Sequence, residues 1–209
     1  MLKKEDAFFY EGDLPNDLDL GSIIAIDTEA MGLNNQRDRL CLVQLSSGDG
    51  VGHVVRFQPN QYKNAVNLKK LLTDPKKLKI MHFARFDMAI LQKYLHIKVR
   101  NVYCTKIASK IARTYTDCHG LKALAREFLN VNISKQEQSS YWGAETITPE
   151  QLDYAIHDVL FLHELKNKLD LQLEREGRKK LAYECFKFLN TRVDLDLSGW
   201  LDIDIFSHE

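Results

Sequence analysis

Two periods of apolar and polar residues divide the chain. Ile23-Ile24-Ala25-Ile26 is a run of four apolar residues, three of them β-branched, and it predicts a buried strand. Phe8-Phe9-Tyr10 predicts an edge strand, followed by a loop over Glu11–Leu20. Arg39–Leu45 and Val51–Phe57 read as strands joined through Gly48-Asp49-Gly50, a hairpin. Leu78–Met81 and Val99–Tyr103 are shorter strands. Between and after them the period lengthens. Helices are predicted over Asn67–Leu72, Ala84–Leu95 with Met88, Leu91 and Leu95 on one face, Thr105–Ala112 and His119–Leu129. Residues 130–148 are polar and irregular. Thr148 as N-cap and Pro149 in the first turn open a long helix that runs to about Glu176; Gly177 can interrupt or end it, and Arg178–Asn190 is helical again. A hairpin followed by strands alternating with helices predicts one α/β domain over residues 1–209, a mixed central sheet flanked by helices.

The last seventeen residues follow another rule. Val193-Asp-Leu-Asp-Leu197 and Leu201-Asp-Ile-Asp-Ile205 alternate apolar with acidic residues, a strand pattern with one face to bury. Residues 193–209 therefore read as a C-terminal arm, packed on its own domain or paired with a neighbouring subunit. Composition narrows the partners. The 209 residues carry 29 basic and 29 acidic side chains, so the formal net charge is zero. That argues against a broad basic surface for long nucleic acid, while leaving room for a small pocket that takes a short one. No apolar run is long enough to span a bilayer, and the start Met-Leu-Lys-Lys-Glu-Asp shows no leader pattern. The four cysteines are scattered. A cytoplasmic protein with reduced thiols is the expectation.

Candidate chemistry begins where the Ile23 strand meets Asp27 and Glu29. Residues two apart on an extended backbone share a face, so two carboxylates stand side by side. Like charges this close cost free energy unless a cation sits between them, and oxygen ligands suit Mg2+ or Mn2+. Asp87 lies in the first turns of the helix after Leu78–Met81, within His82-Phe-Ala-Arg-Phe-Asp87. Tyr154 and Asp158, four apart on the capped helix, lie on one face, whereas Asp153 points elsewhere. Tyr154 also suits plain core packing.

Taken in order, Asp27, Glu29, Asp87, Tyr154 and Asp158 resemble the motifs of the DEDD family of 3′–5′ exonucleases, in the subclass whose third motif is Tyr-x-x-x-Asp. The resemblance runs from Ile23 to about Leu189. Gln138-Ser-Ser-Tyr-Trp142 is similar to the Gln-x-Ser-Asp-Trp segment of ribonuclease D, with Tyr141 in place of the acid. Glu145-Thr146 stands where Arg-Pro usually follows, so the family's arginine has no counterpart here. The bare length, Tyr10-Glu-Gly-Asp-Leu-Pro15 and Asp27-Thr-Glu-Ala-Met-Gly-Leu33 look most like the bacterial nano-RNase C group. Its members degrade dinucleotides and very short oligonucleotides and assemble as octamers.

The resemblance implies a ribonuclease H-like fold and a two-metal exoribonuclease that releases nucleoside 5′-monophosphates from short RNA, with short DNA a further candidate. Asp27 would bridge two Mg2+ or Mn2+ ions. Glu29 and Asp158 would complete one shell, and Asp87 the other through water. Tyr154 would orient the attacking water and help remove its proton. Met31, Gly32 and Leu33 are candidate substrate contacts: Gly32 lets backbone approach the substrate, and Leu33 either wedges between bases or belongs to the core. His82 or Arg85 would neutralise phosphate, unless each is merely structural. Gln138 is a further candidate, Trp142 stacks on a base or buries itself, and Lys135 would meet a terminal phosphate. Two other readings stand beside these, trimming of tRNA 3′ ends and an inactive nucleic-acid-binding protein of the same fold. The second requires loss of one of the four acids, and none is lost.

Overall fold

The structure is a computed structural model that describes residues 7–133 and 140–208. Six strands form one mixed sheet in the order β1-β4-β3-β2-β5-β6. They are β1 (Ala7–Glu11), β2 (Ile23–Ala30), β3 (Leu40–Ser46), β4 (Gly52–Arg56), β5 (Leu78–Met81) and β6 (Val102–Cys104). The hairpin expected from Gly48-Asp49-Gly50 is present: β3 pairs antiparallel with β4 and with β2. On either side the pairing is parallel, β2–β5–β6 on one flank and β1–β4 on the other. Every residue of β3 is buried, as the central position demands.

The helices are α1 (Val66–Thr73), α2 (Ala84–Leu95), α3 (Thr105–Ala112), α4 (Leu121–Leu129), α5 (Pro149–Leu160), α6 (Leu162–Arg175) and α7 (Lys179–Leu197). α5 starts as its sequence dictates. The Thr148 hydroxyl accepts from the Gln151 amide at 3.2 Å, and the Gln151 side chain accepts from the Thr148 amide at 3.0 Å. Its approach to the sheet requires a missing side chain: a Cβ on Gly52 would lie 2.5 Å from Ile156 Cγ2. The main core lies beneath α2, α3, α6 and α7, and a smaller one under α5 joins Leu42, Val54, Trp142, Ala155 and Ile156.

β2 runs to Ala30 and presents Asp27 and Glu29 near its end, as expected. Two expectations need correction. The single long helix from Pro149 is two helices broken at Phe161, without proline or glycine. Packing sets the break. α5 lies on β2, β3 and β4, whereas Leu162, Leu165, Leu169 and Leu173 of α6 enter the main core beside α3 and α4. The alternating tail forms no strand: Val193–Leu197 is the last turn of α7, and 201–205 is irregular and exposed. Five alternating residues fit either period, and here the helical one wins. Val193 and Asp196, three apart, share the inward face, and Asp196 is neutralised by Arg85 and Arg192.

Candidate active site

Asp27 and Glu29 lie opposite Gln44 and Leu42 of β3, so their side chains leave the sheet on the face that carries α5. The pairing register shifts between Glu29 and Ala30, an irregularity that re-aims the strand end beside the acids. α5 brings Asp158 to the same place. Carboxylate oxygens of Asp27, Glu29 and Asp158 lie within 4.8 Å of one another, each side chain half-buried. Asp87 arrives differently. It sits in the first turn of α2, and Thr28, between the two β2 acids, donates its hydroxyl to Asp87 Oδ1 at 2.6 Å. Asp87 stays outside the three-carboxylate group but is close enough to repel both Asp27 and Glu29. Asp153 is exposed and turned away, as its spacing predicts.

The electrostatics show what the cluster lacks. Burial, then the charges of Asp87, Asp158 and Glu29, pushes Asp27 well above the ordinary carboxylate range. Burial and then Asp158 and Asp87 do the same to Glu29. Asp87 is pushed up to about 7 and Asp158 to about 6, burial being the main cause in each. Four acids raised together mark a site that wants positive charge. The donors are all oxygen, and three gather within 4.8 Å of one another, a set that suits a hard divalent cation. Tyr154 hydrogen-bonds Asp158, and burial plus the surrounding acids raise its hydroxyl above the ordinary phenol value, so it stays protonated at neutral pH.

A cleft of about 860 Å3 opens on Asp27, Tyr154 and Asp158. The substrate candidates fare unequally around it. Leu33 is 88% exposed, which removes the core reading, and Met31 is 43% exposed. Gly32 has another reason to lack a side chain: its Cβ would lie 2.3 Å from Asp38 Oδ2. His82 lines the cleft; burial and then Lys106 push it down to about 3, which favours the neutral ring, and its Nδ1 lies 2.9 Å from the Thr105 hydroxyl. Arg85 is held by Asp196. Trp142 is buried at 3% exposure, its ring centroid 6.0 Å from that of Tyr154, so it supports the tyrosine and offers no free face for stacking on a base. Gln138 and Lys135 lie outside the described residues. The sequence reading missed the basic side of the cleft, Lys106 on α3 and Lys122 and Arg126 on α4, together with the ring of Phe83. Lys122 and Arg126 are four apart on one helix, a signal that was available; Lys106 and Phe83 carried none.

The fold and the acid cluster define a 3′–5′ exonuclease of ribonuclease H-like fold, and the chain belongs to the 3′–5′ exonuclease family, whose model matches residues 12–174. Within it, the chain is similar over nearly its full length to NrnC of Brucella melitensis. The NrnC structure bound to pGG is 53% identical with a TM-score of 0.93, covering 97% of this chain and 98% of that one. The NrnC structure with bound Mg2+ is 51% identical with a TM-score of 0.92, covering 97% and 99%. Ribonuclease D of Gluconacetobacter diazotrophicus is 33% identical over 156 residues, 74% of this chain and 39% of that protein. The chain spans less than half the length of the ribonuclease D relatives it matches.

Proposed function

We propose that the chain is a 3′–5′ exoribonuclease that hydrolyses dinucleotides and very short RNA to nucleoside 5′-monophosphates with two Mg2+ or Mn2+ ions. The observation that carries this reading is the convergence of Asp27, Glu29 and Asp158 within 4.8 Å at the wall of the cleft. The substrate length rests on the likeness to NrnC, a protein seen with pGG and with Mg2+. When bound, such ions activate water and stabilise the leaving 3′ oxygen. Asp27, Glu29 and Asp158 would hold them, with Asp87 completing the set and kept in place by Thr28. Tyr154, protonated, orients the attacking water by hydrogen bonding and leaves proton removal to the rest of the site. Leu33, 88% exposed, would separate the two bases. Homo-oligomerisation, up to an octamer, and a cytoplasmic location belong to the same reading.

Trimming of structured RNA 3′ ends is the second reading, favoured by the ribonuclease D relatives. A length series of 5′-phosphorylated RNA with Mg2+ or Mn2+ separates the two. Fastest release of mononucleotide from the dinucleotide supports the first; faster turnover of a seven-nucleotide strand overturns it.

A further inference from the structure

Substrate binding at the proposed site brings a charge that the proposed metal ligands do not offset. Four carboxylates balance two divalent ions, and a phosphodiester adds one negative charge. Lys135 lies outside the described residues, and the other two cations expected from the sequence, His82 and Arg85, are engaged elsewhere. His82 turns Nδ1 to Thr105, and Arg85 is bound by Asp196 at 2.5 and 2.8 Å and by the Leu201 carbonyl at 2.7 Å.

Lys106 is free. It lines the cleft with Asp27, Tyr154 and Asp158. Among the described residues its ammonium makes no hydrogen bond or ion pair; it rests over the Phe83 ring, 4.1 Å from the centroid. Its base is rigid, because Thr105 is tied to His82 and to the Met81 carbonyl, at 3.3 Å, where β5 ends. Phe83 also sits in an unusual state. It precedes α2 with φ +61° and ψ +42°, a region bulky side chains rarely enter, and the residue is 44% exposed and lines the cleft. An ammonium on an aromatic face is a weak perch that a phosphate oxygen outcompetes. The departing lysine leaves that face open, and every base has a π-face to place there.

On the basis of the proposed function, we propose that Lys106 and Phe83 form a substrate clamp: Lys106 moves from the ring to a phosphate oxygen of the bound dinucleotide, and a nucleobase takes its place on Phe83. Lys122 and Arg126 line the same cleft from α4 and are the rival cations.

The test is equilibrium binding by the full chain, with Mg2+, of a 5′-phosphorylated dinucleotide carrying 2-aminopurine and a non-hydrolysable methylenephosphonate link. Lys106→Met is expected to raise Kd about tenfold and to lower the slope of log K against log salt by about 0.7. Lys106→Arg keeps most of the binding. Phe83→Ala weakens binding several-fold and removes quenching of the 2-aminopurine. Lys110→Met, one turn along α3 and away from the cleft, changes neither. Lys106→Met within twofold of the native chain overturns the proposal, as does a loss seen only in Lys122→Met or Arg126→Met. Should Lys106→Met not fold, Lys106→Gln is read in its place by the same limits. A native chain that neither binds the analogue nor cleaves the natural dinucleotide defeats the proposed function instead.

Discussion

At the scale of residues, the site works against the fold that holds it. Asp87 and Asp158 titrate near 7 and 6 in the metal-free chain, against about 4 in an unfolded one. Across that interval the folded state binds more protons than the unfolded state, so these groups stabilise it at pH 4 and lose that contribution as pH rises towards 7. A cation that replaces the protons reverses the trend. Mg2+ or Mn2+ is therefore predicted to raise Tm by several degrees at pH 8 and far less at pH 5, measured by thermal scans against EDTA; equal shifts at both pH values would count against the metal reading. Asp27→Asn removes one of the repelling charges and a central ligand. The metal-free variant is predicted to be more stable by about 1 kcal/mol, while activity falls about a thousandfold or more. Activity near the native level would reject Asp27 as a ligand. Leu33→Ala, at an exposed position, is predicted to leave Tm unchanged and to raise KM for the dinucleotide.

The acids were legible because strand and helix periods fix which face a residue takes, and the resemblance supplied their order. The states of His82 and Arg85 were not, since burial and a partner over a hundred residues away decide them.

At the scale of elements, the tie between α2 and α7 matters most. Asp196, 4% exposed, accepts from Arg85 and from Arg192, four residues earlier on its own helix. Both arginines also bind carbonyls just past the helix end, at Leu201 and Trp200. α2 begins without a side-chain cap, so this tie holds the turn that presents Asp87. Asp196→Ala leaves two guanidiniums unpaired and is predicted to cost about 3 kcal/mol, read by urea unfolding; a change below about 0.5 kcal/mol would show the tie to be loose. The same contact explains why the tail misled. Its alternation is a local signal, whereas Arg85 is a distant one. Ala84–Leu95, Thr105–Ala112 and Leu78–Met81 form within the limits their periodicity predicts, because their patterns and their packing agree. The break at Phe161 could not be read, since two long apolar stripes joined in phase look like one helix until the sheet and the core claim them separately.

At the scale of the molecule, the mixed sheet follows from the order of elements, and the six strands lie where a hairpin followed by crossovers puts them. Among the described residues no helix is long and apolar enough to cross a membrane. Trp200, Leu201, Ile203, Ile205 and Phe206 leave a band of apolar side chains on the surface, 43 to 76% exposed. A surface of this kind seeks a partner. Under the proposed homo-oligomer, Ile203→Asp with Phe206→Asp is predicted to lower the mass seen by light scattering without unfolding the chain. An unchanged mass would remove the tail from assembly.

The most direct test is anomalous diffraction from crystals soaked in Mn2+. The account predicts density for Mn2+ between Asp27, Glu29 and Asp158, with a second peak towards Asp87. Manganese bound only elsewhere, or none at saturating concentration and pH 8, would contradict it.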